Sequence, residues 1–165
     1  GEVLVYEYVR AYGMRAVVVR IFNSYAEDAS GADGRVIGNF ARQALTGAEL
    51  TVYGDGSQTR SFCHADDTVR GLRLAMEYDG PAGDVFNIGN PEEVTIAELA
   101  ERILRLSGGS IAYRPLPEDD PTRRKPDIAK ASSLLGWTPL IGLELGLAGV
   151  IEWQRRRLAS GEGGA

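Results

Sequence analysis

The sequence predicts an α/β protein, because short apolar strands alternate with amphipathic helices along most of its length. The run Ala16-Val17-Val18-Val19, within residues 15–22, is apolar on both faces, as in a buried parallel strand. Thr95 and Glu98 form a capping box, which predicts the start of a helix. That helix should bury an apolar stripe made of Ile96, Leu99, Ile103 and Leu106. The order strand, helix, strand, helix favours this class over an all-helical fold.

The remaining elements follow from the same two periodicities, and glycines mark where helices end. We expect a first helix over 2–12, ended by Gly13, and a polar loop over 23–33 after the first strand. Asp66 or Asp67 should cap a helix that runs through Met76 and turns Val69, Leu72 and Met76 inward. The other predicted helices cover 35–46, 95–106, 127–135 and 143–157, and the other strands cover 50–53, 84–88 and 110–114.

Composition indicates one ordinary globular domain. The chain has 165 residues, of which 44% are hydrophobic and 25% charged, which is enough apolar material for a core. The net charge of −5 argues against a nucleic-acid partner, and no apolar run approaches the length of a membrane span. The single Cys63 excludes an internal disulfide and favours a reducing, cytoplasmic location. We expect residues 1–158 to form the domain and the glycine-rich residues 159–165 to be disordered.

The most informative segment runs from Leu50 to Asp67. A short strand enters the turn Tyr53-Gly54-Asp55-Gly56, in which glycine allows backbone angles that other residues resist. Gln58 and Arg60 then follow two residues apart, so an extended backbone places them on one face. An amide and a guanidinium on one face suit a planar base or ribose next to a phosphate.

This segment resembles the extended short-chain dehydrogenase/reductases, in particular their nucleotide-sugar branch and, within it, the UDP-glucuronate decarboxylases. Other motifs in the same order extend the resemblance over nearly the whole chain. They are Arg20-Ile-Phe-Asn-Ser-Tyr25, Gly34-Arg-Val-Ile-Gly-Asn-Phe40, Asn87-Ile-Gly-Asn-Pro91, Thr95-Ile-Ala-Glu-Leu-Ala100, Leu116-Pro-Glu-Asp-Asp-Pro121, Arg124-Lys-Pro-Asp127 and Leu135-Gly-Trp-Thr-Pro139.

The resemblance implies the C-terminal part of a Rossmann-type enzyme with its small substrate-binding α/β subdomain. Such an enzyme uses NAD to oxidise the sugar at C4, loses CO2 and reduces the ketone again, giving UDP-xylose. The family's Gly-rich turn and its Tyr-x-x-x-Lys pair are not found in this sequence. We therefore expect a truncated or partial chain that binds UDP-sugar but has no catalytic residues of its own, and a homodimer for the complete enzyme.

The resemblance also implies a set of substrate-binding residues. Arginines at the positions of Arg60 and Arg124 hold the diphosphate, and the asparagine at Asn23 contacts the sugar nucleotide. Tyr53 and Gln58 are candidates for the base and ribose, because tyrosine offers a stacking face and glutamine both a donor and an acceptor. Val36 and Asn39, at the start of a helix, should lie near the base. The alternative for these residues is an ordinary structural role at the surface or in a strand.

Other kinds of site, namely a nucleophile–base dyad, a metal site or a hydrolase site, are less well supported by the sequence. Cys63 and His64 are adjacent on a strand, point to opposite faces and so do not form a nucleophile–base dyad, and no metal-ligand spacing is present. The acidic pairs Asp66-Asp67 and Glu118 to Asp120 are better explained as a helix start and a solvated turn than as a hydrolase site.

The sequence departs from the family pattern at two places, and other functions stay open. The family has Tyr-Gly-Pro where this chain has Tyr25-Ala26-Glu27, and a tyrosine where it has His64. Ser61 favours the decarboxylases over dTDP-glucose 4,6-dehydratases and UDP-sugar 4-epimerases, whose members more often carry aspartate there. A non-catalytic module for nucleotide-sugar binding or protein interaction is the alternative from another class.

Overall fold

The computed structural model describes residues 1–28, 35–115 and 123–161, which form six helices and nine short strands. The helices are α1 Glu2–Tyr12, α2 Val36–Leu45, α3 Ala65–Glu77, α4 Ile96–Ser107, α5 Ala129–Leu135 and α6 Leu143–Ala159. The strands are β1 Val18–Ile21, β2 Ser24–Tyr25, β3 Leu50–Tyr53, β4 Thr59–Arg60, β5 Cys63–His64, β6 Val85–Ile88, β7 Val94–Thr95, β8 Ile111–Arg114 and β9 Arg123–Arg124. The predicted α/β class is therefore confirmed.

Parallel pairing dominates the described strands. β1 pairs with β6, β2 with β5, and β3 with β8, each in parallel. β4 lies between β7, to which it is antiparallel, and β9, to which it is parallel. Parallel pairs need helical crossovers, which explains why helices separate most of the paired strands in the chain.

The larger core lies between α2, α4 and α6, with β3 packed against α2 and α4. Its fully buried side chains include Phe40, Leu50, Leu99, Ile103 and Leu147. The capping box predicted for α4 is present, with Thr95 and Glu98 each accepting a hydrogen bond from the other's backbone N–H. The hydroxyl and carboxylate thereby satisfy two helix-end donors, and the helix starts where the sequence predicts. Leu106 ends the predicted apolar stripe but is 36% exposed.

A smaller core surrounds Trp137, whose side chain is fully buried against Phe86 and Ile88. The indole Nε1–H donates to the Asp67 backbone carbonyl over 2.9 Å. The Asp67 carboxylate accepts from Arg70 and from the backbone N–H groups of Leu140 and Ile141. Asp67 lies in the first turn of α3, as the predicted helix start requires, and it is a buried structural residue.

Two predictions for α3 are wrong. The N-cap is His64, whose ring accepts a hydrogen bond from Asp66 N–H, and neither aspartate takes that position. Val69 and Met76 are 63% and 85% exposed, and the helix buries Thr68, Gly71 and Ala75 instead. The cause is Trp137 and Ile88, which pack so close to Gly71 that the small-residue face of α3 is the one that fits against them.

The first strand is shorter and less buried than predicted. β1 covers only Val18–Ile21, and its Arg20 and Ile21 are exposed. Within the described residues β1 has one neighbouring strand, β6, so its other edge is uncovered there. The predicted polar loop after it contains the short strand β2, because its backbone pairs with β5. Tyr25 on this strand is buried against α6.

The C-terminal helix is longer than predicted. α6 ends at Ala159, two residues beyond the predicted end, and so contains the first residue of the segment expected to be disordered. Residues 162–165 lie outside the described residues, as do the acidic run Glu118 to Asp120 and residues 29–34. No helix in the described part of the chain is both long and apolar enough to cross a membrane.

Candidate functional site

A cavity of about 870 Å³ lies between α2 and the strands β3 and β4. Six of the seven residues proposed from the sequence line it: Asn23, Val36, Asn39, Tyr53, Gln58 and Arg60. The described lining residues include two arginines, Arg35 and Arg60, and neither aspartate nor glutamate. This charge distribution suits an anionic ligand.

The glycine turn after β3 positions Gln58 and Arg60. Gly54 and Gly56 have φ angles of 67° and 75°, which only glycine adopts without strain. The Asp55 carboxylate accepts hydrogen bonds from the Ser57 hydroxyl and backbone N–H, which hold its pKa below the usual range. Gln58 Nε2 donates to the Tyr53 carbonyl over 3.0 Å, so the two predicted base or ribose residues lie side by side.

Asn23 lies two residues after the end of β1 and has a φ angle of 31°, the one positive value at a non-glycine residue in the described ranges. Asparagine tolerates this region better than most residues, yet such strain is found mostly at functional sites. Its backbone carbonyl accepts from Cys63 N–H over 3.1 Å, which fixes the turn at the cavity wall. Asn23 lines the cavity, and its contact with a ligand stays a prediction.

Arg124 does not line the cavity as described, although it lies beside a residue that does. β9 pairs in parallel with β4 so that Arg124 is in register with Arg60. Residues in register on neighbouring strands project from the same face of the sheet. The Arg124 side chain is exposed, and the Ser61 hydroxyl donates to its carbonyl over 3.1 Å. The two predicted diphosphate residues are thus neighbours, but only Arg60 lies in the cavity wall.

Sequence reasoning missed a set of lining residues with side-chain polar groups. Arg35, at the N-cap of α2, donates to the Ser24 carbonyl over 3.0 Å, and Gln43 hydrogen-bonds to Thr51. For Gln43 and Thr51, the periodicity of the sequence could have indicated a place in the lining. Gln43 is seven residues after Val36, which places both on one face of the helix. Thr51 is two residues before Tyr53 on β3 and shares its face.

Cys63 and His64 are both buried, and their side chains have separate structural partners. His64 Nε2 lies 3.1 Å from the Glu27 carboxylate, and Nδ1 accepts from Asp66 N–H. Both ring nitrogens are therefore used within the fold. Burial raises the pKa of the Cys63 thiol, which keeps it protonated and a poor nucleophile. In the described part of the chain no cluster of three His, Cys, Asp or Glu side chains could hold a metal ion.

The described residues do not form a cradle for NAD. A dinucleotide pyrophosphate binds where a glycine turn joins a strand to a helix N-terminus. The fully described strand-to-helix junctions have no glycine turn. β5–α3 and β7–α4 pass directly from one element to the next, and residues 125–128, between β9 and α5, contain no glycine. The turn with Gly54 and Gly56 joins two strands instead. These ranges therefore contribute a ligand cavity but no dinucleotide site of the Rossmann type.

Comparison with known sequences points to one group of enzymes. UDP-glucuronic acid decarboxylase 5 of Arabidopsis thaliana is 46% identical over 162 residues, covering 96% of this chain and 46% of that protein. UDP-glucuronic acid decarboxylase 1 of Xenopus tropicalis is 44% identical over 160 residues, covering 96% of this chain and 38% of that protein. The chain thus spans less than half the length of these curated relatives.

Solved structures of sugar-nucleotide enzymes share the fold. UDP-glucose 4-epimerase from Thermotoga maritima, solved with UDP-glucose, has a TM-score of 0.88 and 31% identity, covering 95% of this chain and 51% of that one. The profile of the NAD dependent epimerase/dehydratase family matches residues 1–89, more than half of the sequence. The predicted resemblance, the Rossmann-type α/β class and, for the family, the use of NAD are confirmed. The chain therefore belongs to the NAD dependent epimerase/dehydratase family.

Proposed function

We propose that these residues form the nucleotide-sugar-binding part of a UDP-glucuronate decarboxylase, the enzyme that makes UDP-xylose. The observation that carries the proposal is the cavity, which brings together six residues predicted from the sequence to bind a sugar nucleotide. Two guanidinium groups and no carboxylate among its described lining residues match a diphosphate in charge. We assign Arg60 and Arg124 to the diphosphate, Tyr53 and Gln58 to base and ribose, Val36 and Asn39 to the neighbourhood of the base, and Asn23 to the sugar nucleotide.

The choice of the decarboxylases over other family members rests on two observations. The decarboxylase relatives are 44–46% identical, whereas the solved 4-epimerase is 31% identical. Ser61 is buried and donates a hydrogen bond to the Arg124 carbonyl, which ties β4 to β9. An ionised aspartate at this position has no hydrogen to donate to the Arg124 carbonyl. Relatives with aspartate there must therefore connect the segments that carry the two arginines in another way.

In the proposed reaction the described residues bind and orient the substrate. NAD, when bound by the complete enzyme, supplies the hydride acceptor and donor at the sugar C4 position. We infer no hydride or proton transfer by Arg60, Tyr53 or Gln58, because each is assigned to the nucleotide and not to the sugar. The chain alone is therefore proposed to bind UDP-sugars weakly without turning them over.

We further propose a cytoplasmic homodimer for the complete enzyme, with no nucleic-acid partner. A buried free thiol at Cys63 favours a reducing compartment. The net charge of −5 opposes binding to a polyanion. An exposed apolar helix, α1, offers a surface that a second subunit could cover.

The binding proposal is tested by titrating the purified chain with UDP and with uridine in a calorimeter. Arg60→Ala should weaken UDP binding by about 10- to 100-fold, since a charge-assisted hydrogen bond contributes about 1.5–3 kcal/mol. Uridine has no diphosphate, so its weaker binding should be unchanged by the same substitution. Arg105→Ala, an exposed arginine on α4 outside the cavity lining, is the matched control and should bind UDP normally.

Three results would contradict the proposal, in whole or in part. A folded chain that does not bind UDP would exclude a nucleotide site formed by these residues. An equal loss of UDP and uridine binding in Arg60→Ala would show that Arg60 supports the fold and not the diphosphate. Turnover of UDP-glucuronate by the chain alone would leave the site intact but overturn the proposed division between binding and catalysis.

A further inference from the structure

The Gln43 side chain is held in one orientation by Thr51. Gln43 Oε1 lies 3.1 Å from the Thr51 backbone N–H, and Gln43 Nε2 lies 3.1 Å from the Thr51 hydroxyl. A backbone N–H can only donate, so the atom facing it must be the amide oxygen. The amide nitrogen therefore faces the hydroxyl, and the arrangement has no equivalent flipped form.

This arrangement determines whether the Thr51 hydroxyl acts as a hydrogen-bond donor or acceptor towards the cavity. Nε2 is a donor, so the hydroxyl oxygen accepts from it and keeps its own hydrogen for another partner. Within the described residues, Gln43 is the hydrogen-bond partner that the structure gives this hydroxyl. Because Thr51 and Gln43 both line the cavity, this part of the wall presents a donor to a ligand.

The pair lines the same cavity as the residues assigned to the base. Thr51 and Tyr53 are on the same face of β3, and Tyr53 is a proposed base or ribose residue. Gln43 lies on the same side of α2 as Val36, seven residues and about 10 Å further along the helix axis. Arg60, assigned to the diphosphate, lies across the glycine turn on β4.

We propose that Gln43 is a positioning residue that turns the Thr51 hydroxyl into a hydrogen-bond donor, and that this donor selects a pyrimidine with a carbonyl at C4. The inference rests on the proposed function and extends it to base selectivity. Uracil and thymine carry an acceptor at C4, whereas cytosine carries an amino group that donates. A donor facing a donor leaves both groups without a partner, which disfavours a cytidine nucleotide.

The test compares UDP, dTDP and CDP binding to the wild-type chain and three variants by calorimetry. The wild type should bind UDP and dTDP about tenfold more tightly than CDP. Thr51→Val removes the hydroxyl and should bring the ratio of CDP to UDP dissociation constants close to one. Thr51→Ser keeps the hydroxyl and should keep the preference.

Gln43→Glu is the decisive variant, because it has nearly the same shape and reverses the polarity. A carboxylate accepts from both the Thr51 N–H and the Thr51 hydroxyl, so the hydroxyl turns its hydrogen away and offers a lone pair to the cavity. CDP should then bind as tightly as UDP, or more tightly. The added negative charge weakens all three diphosphates alike, so it leaves the ratio unaffected.

The outcomes separate this inference from the proposed function. If UDP binds and Arg60→Ala weakens its binding as expected, but the ratio is near one in the wild type or unchanged in Thr51→Val and Gln43→Glu, the base-selection role is wrong and the nucleotide site stands. If Gln43 were only structural, its substitution would weaken UDP and CDP equally. A folded wild-type chain that binds none of the three overturns both proposals.

Discussion

Asp67 shows how one side chain can hold two segments together. Its carboxylate accepts from Arg70 on one oxygen and from Leu140 and Ile141 N–H on the other. Burial by itself would raise the pKa of this group, but the hydrogen bonds outweigh it and the pKa is lowered. The ionised form therefore stabilises the fold by joining α3 to the turn that precedes α6.

We expect Asp67→Asn to lower the free energy of unfolding by about 2–3 kcal/mol at pH 7, because one of its bonded acceptors becomes a donor. A group with a lowered pKa stabilises the fold above its unfolded pKa, near 4, and loses that effect as the pH falls through the folded value. The difference in free energy of unfolding between wild type and variant should therefore shrink below about pH 4. Urea denaturation from pH 7 to pH 2 measures it, and a constant difference would contradict the role of the ionised carboxylate.

At the scale of elements, α6 meets β2 and the loop after it through two glycines. A Cβ at Gly146 would lie 2.1 Å from the Tyr25 hydroxyl oxygen and 2.8 Å from its ring. A Cβ at Gly149 would lie 3.0 Å from the Glu27 side chain. Tyr25 is buried and rigidly packed, whereas Glu27 is a flexible side chain with 44% exposure. The same substitution should therefore have different effects three residues apart.

Gly146→Ala should destabilise the protein by about 2 kcal/mol, because steric overlap with Tyr25 exceeds the gain of about 1 kcal/mol in helix propensity. Gly149→Ala should change stability by less than about 0.5 kcal/mol, since Glu27 can move aside. Thermal denaturation of the two variants gives the comparison. Equal effects would show that helix propensity, and not contact with Tyr25, decides the outcome.

At the scale of the whole molecule, the described structure leaves one apolar region exposed. No residue of α1 is buried, and Val3, Leu4, Tyr6 and Tyr12 are each more than 60% exposed. Ile21, on the neighbouring β1, is also exposed. Apolar patches with this composition commonly contact another polypeptide.

We expect the 165-residue chain to self-associate as its concentration rises. Leu4→Glu should reduce the association, because it places a charge within the apolar region. Met76→Glu is the matched control, since Met76 is 85% exposed on α3 and its substitution should have little effect. Light scattering across a concentration series measures the mass. A monomer at every concentration, or equal effects of both variants, would show that α1 is not the contact surface.

The sequence predicted helix ends and turns correctly where they depend on residues close together in the chain. The glycines after α1 and α5, the capping box of α4 and the glycine turn after β3 act through backbone angles and hydrogen bonds between near neighbours. Six cavity residues were also predicted, because motif order and strand alternation place them without knowledge of the packing. The seventh, Arg124, requires the β4–β9 register to be placed.

What the sequence by itself determined is the α/β class, the family and most of the candidate site, since these depend on periodicity and on motifs that lie close together in the chain. The tertiary structure alone decided which face of α3 is buried, because Trp137 lies 70 residues after Asp67. It also decided the orientation of the Thr51 hydroxyl, which depends on contact between a helix and a strand. Contacts between distant segments set packing and hydrogen-bond polarity, and no local pattern encodes them.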